Sequence, residues 1–270
     1  MSSTFLALLA IALWATLASF GTVLSHLPPF LLTGLALIAG SVPSWFWAAR
    51  ERAAWRVPPR TLALGIYGLF GFHFLLFIAL RHAPPVEANL VNYLWPLLMV
   101  VLAPVLLPGV SLRAVHVGAA LLGFAGAAIA ILWGAWGFLP ALGSAFVWAS
   151  YSLWTRRVPP FPTAAVGLFG LVSGGLSLTC HALLEPAVAL SARDALLIAL
   201  CGLGPLGAAF FAWDLALKRG DARRIGILGY LTPRGSTALL LPVTGRPLSG
   251  SIALAAGLIL AAAVIGTRAR

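Results

Sequence analysis

Ten runs of about twenty apolar residues, parted by short stretches rich in Pro, Gly and Arg, fill this chain almost end to end. No other feature limits the possible folds as strongly. A bilayer-spanning helix needs roughly 20 predominantly apolar residues. Inside lipid, such a helix satisfies its own backbone N–H and C=O groups. The runs fall at 4–24, 29–48, 61–82, 86–107, 112–133, 137–156, 162–183, 192–216, 222–242 and 249–267. The connections between them are short, so consecutive helices are expected to be antiparallel neighbours. Composition agrees. Of 270 residues, 61% are hydrophobic and 9% charged, against about 45–50% and 25% in soluble domains. That leaves too little polar surface to cover a sphere in water.

The net charge of +11 raises nucleic acid as a partner, and the placement of the charges excludes it. The basic residues lie in loops between apolar runs rather than on one folded face. Met1-Ser2-Ser3-Thr4 leads directly into the first run with no basic segment ahead of it, which predicts a first transmembrane helix and not a cleaved signal. Cys180 and Cys201 fall in apolar runs without metal-ligand spacing, so neither a metal site nor a structural disulfide is expected.

Orientation follows from Arg and Lys. With the N-terminus in the cytoplasm, inside segments hold thirteen: Arg50, Arg52, Arg56, Arg60, Arg113, Arg156, Arg157, Lys218, Arg219, Arg223, Arg224, Arg268 and Arg270. Outside loops hold three, Arg81, Arg193 and Arg246, and Arg234 is left within a run. This bias places both termini inside.

The chain also repeats itself. A shift of 137 residues lays Gly65 on Gly202, Phe74 on Phe211, Ala79-Leu80-Arg81 on Ala216-Leu217-Lys218, Tyr93-Leu94 on Tyr230-Leu231, and Pro96 on Pro233. A shift of 134 lays Trp14-Ala15 on Trp148-Ala149. Five spans is an odd number, so the second half enters the membrane from the opposite side. The expectation is an all-α membrane protein of ten transmembrane helices in two inverted five-helix repeats (5+5), residues 1–135 and 136–270, both termini cytoplasmic. Inverted repeats are a recurring way to build a transporter with two related end states.

Counting depth along each span puts Trp14, His73, Asn92, Trp95, Pro96, Trp148, Pro233 and Arg234 near the bilayer midplane. Polar groups there are costly unless they face protein or a wet cavity. Asn89, Asn92, Tyr93, Trp95 and Pro96 form one helical stripe. They either line a cavity or hydrogen-bond to a neighbouring helix beside a packing kink. Pro96 has no N–H for the Asn92 carbonyl and is expected to bend the span; Pro233 is its counterpart. Pro96 and Pro233 are therefore candidate hinges. Tyr230 and Arg234 share a stripe of the ninth span. Arg234 is either an anchor for a substrate anion or a structural residue bonded to carbonyls freed near the kink. His73 lies in an aromatic stripe with Phe70 and Phe77, more as a packed residue than as a proton carrier. Trp148 and Tyr151 line one side of the sixth span. Asp214 and Lys218 are spaced for an i, i+4 ion pair. No catalytic motif, acid–base pair or metal cluster emerges, so neither an enzyme nor a cofactor is expected.

The pattern resembles the drug/metabolite transporter superfamily with its EamA-type repeats. The resemblance covers the whole chain and is carried by Ala-Leu-Trp-Ala-Thr at 12–16, Val-Trp-Ala-Ser at 147–150 and Ala-Leu-Arg at 79–81. Asn92-Tyr93-Leu94-Trp95-Pro96 looks like the fourth span of the YddG-type amino-acid exporters. The second half departs from the first, with Thr232 in place of Trp95 and Arg234 added. The resemblance implies export of amino acids, aromatic and other apolar ones above all, across a bacterial inner membrane. Its partners are then a small-molecule substrate and the lipid bilayer, with a monomer expected. Export of drugs or organic cations is the rival within the class; a membrane-embedded transferase and a signalling or structural membrane protein are rivals outside it.

Overall fold

The computed structural model describes residues 1–50, 55–106, 137–155, 157–220, 228–229 and 231–245, with isolated positions between 114 and 125 and between 250 and 261. Apart from those isolated positions, the expected spans at 112–133 and 249–267 lie outside the described residues, as does Tyr230. Every regular element among the described residues is helical. Among the described residues, five helices are long and apolar enough to cross a membrane: Ser3–Val23, Pro29–Arg50, Pro59–His82, Ala165–Leu184 and Ala192–Ala216. Their outer surfaces expose Phe5, Phe46, Leu183 and Leu196, an exterior suited to lipid rather than water.

Several of these helices are broken at defined points. The first comprises α1 (Ser3–Ala15) and α2 (Leu17–Val23). Ser2 caps α1 by accepting from the Phe5 N–H at 3.2 Å. Thr16 marks the break, its hydroxyl donating to the Leu13 carbonyl at 2.7 Å. Next come α3 (Pro29–Arg50), α4 (Pro59–Ile66) and α5 (Phe72–His82), the last two joined by a π-helical turn at Tyr67–Gly71. The fourth run divides into α6 (Pro85–Asn92) and α7 (Trp95–Leu106). The second half supplies α8 (Phe138–Trp154), α9 (Ala165–Leu184), α10 (Ala192–Leu203), a π-helical turn at Gly204–Ala208, α11 (Ala209–Arg219) and α12 (Leu231–Thr244).

The two π turns lie 137 residues apart, which is the repeat shift, and so do the bounds of α5 and α11. Different chemistry maintains each turn. In the second, Pro205 has no N–H for the carbonyl four residues back. In the first, the His73 Nδ1–H donates to the Leu69 carbonyl at 2.7 Å, and Gly68 lies so close under the Tyr151 ring that a Cβ there would sit 2.4 Å from it.

Pro96, expected to kink the fourth span, has a different local role. It is the second residue of α7. In a first turn a proline removes no intrahelical hydrogen bond and presets φ, so it starts a helix rather than bending one. The chain breaks just before, at Tyr93-Leu94.

Helix α3 packs along α9 and α10 through small residues. A Cβ on Gly40 would meet the Gly202 carbonyl oxygen at 2.7 Å, and one on Gly202 would meet the Ala36 carbonyl oxygen at 2.5 Å. Close backbone approach of this kind drives helix association in membranes. Polar staples sit at the helix ends. Arg81 at the end of α5 donates to the carbonyls of Ser25 and Leu27. Its repeat counterpart Lys218, at the end of α11, donates to the Phe161 carbonyl at 2.8 Å and pairs with Asp214 at 2.6 Å. Each basic residue ties the third run of its half to the connection between the first two.

Candidate functional site

The helix breaks turn side chains from both halves toward one cavity. Its wall is made by Trp14 of α1, Leu17 and Ala18 of α2, Phe72 and Leu76 of α5, and Asn89 and Asn92 of α6. Tyr93 and Trp95 at the α6–α7 break, Trp148 of α8, Phe210 of α11 and Thr232 of α12 complete it. The cavity volume is about 40 Å³.

Aromatic rings dominate one side. Trp14 meets Trp148 edge-on, with centroids 5.8 Å apart and planes at 82°. Phe210 lies 5.7 Å from Trp14 and 5.5 Å from Trp148, and Phe72 lies 5.2 Å from Trp148. These spacings and tilts are the favourable ones for ring quadrupoles. Trp213 buttresses Trp14 at 5.0 Å, and Tyr151 buttresses Trp148 at 5.3 Å. The wall also carries amides. Asn89 Nδ2 donates to Ser236 Oγ at 2.8 Å, and Ser144 Oγ donates to Asn92 Oδ1 at 2.8 Å. No wall residue among those described carries a formal charge.

Of the residues singled out in the sequence, Trp14, Asn89, Asn92, Tyr93, Trp95 and Trp148 stand on this wall. Tyr151 stands one layer back. So does His73, fully buried and edge-on to both Phe72 at 4.9 Å and Phe210 at 5.6 Å. Arg234 belongs to α12, but its side chain lies outside the described residues, as do Tyr230 and the ring of Pro96. The wall also includes residues the sequence did not single out: Leu17, Ala18, Phe72, Leu76, Phe210 and Thr232. The repeat held a signal for two of them. Phe210 is the counterpart of His73 and Thr232 that of Trp95, each 137 residues on. Among the described residues no group of His, Cys, Asp and Glu is placed to hold a metal ion.

Comparison with known proteins gives this geometry a context. The model of the EamA-like transporter family matches twice, over residues 1–132 and 135–267. The chain is 41% identical to the aromatic amino acid exporter YddG of Ancylobacter novellus, over 98% of this chain and 97% of that one. It is 26% identical to the aromatic amino acid exporter YddG of Escherichia coli, over 92% and 91%. It is 29% identical to a probable amino-acid metabolite efflux pump of Salmonella typhimurium, over 98% and 96%. A solved crystal structure of a protein shares its fold at a TM-score of 0.75, with 40% identity and 98% of each chain covered.

Proposed function

The chain belongs to the EamA-like transporter family, and from that premise we propose that it exports aromatic and other apolar amino acids across the cytoplasmic membrane, as a secondary transporter or facilitator. Family and relatives alike make it a membrane transporter and not an enzyme.

One observation carries the substrate class. Trp14, Phe72, Trp148 and Phe210 share one cavity wall with the amides of Asn89 and Asn92. Rings suit an apolar or aromatic side chain by edge and face contacts. Amides and hydroxyls suit the zwitterionic end. A substrate of net charge is a poor match, because the described wall offers no counter-ion. Aromatic faces do attract organic cations, which keeps that class as the rival to test.

Size supports alternating access. A water needs roughly 10–15 Å³ of such space, so a cavity of about 40 Å³ admits a few waters and no amino acid. Binding therefore requires the walls to part. In the proposed topology, ten helices form two inverted five-helix halves, 1–135 and 136–270, with both termini cytoplasmic, in a monomer of the inner membrane. The charge bias and the matched π turns support it. The hinges are proposed to lie at the α6–α7 break beside Pro96 and at the equivalent place beside Pro233.

The test is competition against labelled tryptophan on the purified protein. Phenylalanine, tyrosine and leucine should displace it; lysine, glutamate and a quaternary ammonium dye should not. Displacement by the dye alone would transfer the site to organic cations.

A further inference from the structure

The polar groups on the cavity wall are not equivalent. The Asn89 amide is held by Ser236, and the Asn92 amide oxygen accepts from Ser144. Thr232 stands apart. It is 3% exposed and lines the cavity, yet its hydroxyl has no hydrogen-bond partner among the described residues. Hydroxyls in helices commonly donate to a carbonyl three or four residues back. Thr16, Ser41, Ser150 and Ser152 do so here. A buried hydroxyl without that bond keeps a desolvation cost that only an incoming polar group relieves.

The repeat adds a second observation. Thr232 is the counterpart of Trp95, and both stand on the wall. A true copy would place a second indole there. Threonine leaves room and a small donor–acceptor group where the opposite half presents a ring. The same cavity is lined by the rings of Trp14, Trp148 and Phe210.

We propose that the Thr232 hydroxyl binds the zwitterionic end shared by all amino acids and so fixes the substrate's direction, side chain toward the aromatic wall. This rests on the amino-acid reading of the site. The hydroxyl can donate to a carboxylate or accept from an ammonium, and either bond is charge-assisted. Thr232→Val removes the hydroxyl and keeps the shape; Thr232→Ser keeps the hydroxyl.

The experiment measures binding of phenylalanine, tryptophan and leucine to the purified protein and both variants, beside their melting temperatures. Thr232→Val should melt at or above the parent's temperature and lose about ten-fold in affinity for all three, while Thr232→Ser stays within about two-fold. Thr232→Ala serves in its place if the valine variant does not fold. Equal affinities in the parent and the hydroxyl-free variant overturn the proposal. A loss confined to tryptophan also overturns it, since the hydroxyl would then meet the indole N–H. A parent protein that binds none of the three overturns the amino-acid reading itself, and this proposal with it.

Discussion

Trp14 and Trp148 are one residue used twice. The repeat places them at matching depths, and the fold brings their rings to 5.8 Å on the same cavity wall. Both are almost fully buried, and Trp148 contacts Phe72, Phe210 and Tyr151 as well. Trp148→Ala should therefore weaken phenylalanine and tryptophan binding by about ten-fold, the scale of one well-placed aromatic contact. Trp148→Phe should recover most of it. Titration of the purified variants checks this; an unchanged affinity for the alanine variant removes Trp148 from the site. These tryptophans were legible in the sequence because a large polar-tipped ring at mid-membrane depth, echoed in the other half, is uncommon. Phe72, Leu76 and Phe210 were not, since an apolar residue on a cavity wall has the same pattern as one facing lipid or another helix. His73, singled out for its depth and its aromatic stripe, stands one layer back, while its repeat counterpart Phe210 is the one on the wall.

The helices are where sequence and structure diverge most. The rough bounds of the five long apolar helices show in hydropathy, because twenty apolar residues permit little else in a membrane. Their breaks do not show. A π turn has no composition of its own; it arises where side chains such as His73 and Tyr151 favour it. The two turns lie between segments that pack on the α3–α9–α10 core and segments that carry Phe72 and Phe210 to the cavity. Such bulges are frequent at functional sites. Gly71, at the end of the first turn, has φ −63° and ψ −43°, and a Cβ on it would meet only Val147, at 3.5 Å. Gly71→Ala should fold normally and favour regular helix by up to about 1 kcal/mol. The expected result is a higher melting temperature with several-fold slower transport. A stabilised variant that transports at the parental rate shows that this turn does not flex in the cycle. Pro96→Ala probes the neighbouring break. If the break is a hinge, the variant binds substrate and transports slowly; if it only shapes packing, loss of transport tracks loss of thermal stability.

At the scale of the whole molecule, two halves share one cavity, and the sequence shows the pairing through its 137-residue shift and its matching basic ends. Arg81 and Lys218 close equivalent connections, and the proposed inversion puts them on opposite faces of the membrane. A cysteine at position 220, with Cys180 and Cys201 replaced, should stay unmodified by an impermeant reagent on intact cells, and one at position 82, which is exposed, should react. The reverse pattern would invert the assigned orientation. The central claim is that amino acids cross through the aromatic cavity between the halves. Efflux of labelled phenylalanine from loaded proteoliposomes tests it most directly, with the Trp14→Ala/Trp148→Ala double variant as comparator. The account predicts rapid efflux with the parent, inhibited by external tryptophan, and efflux near the protein-free leak with the folded double variant. Parental efflux no faster than protein-free vesicles, or undiminished efflux from the double variant, would contradict it.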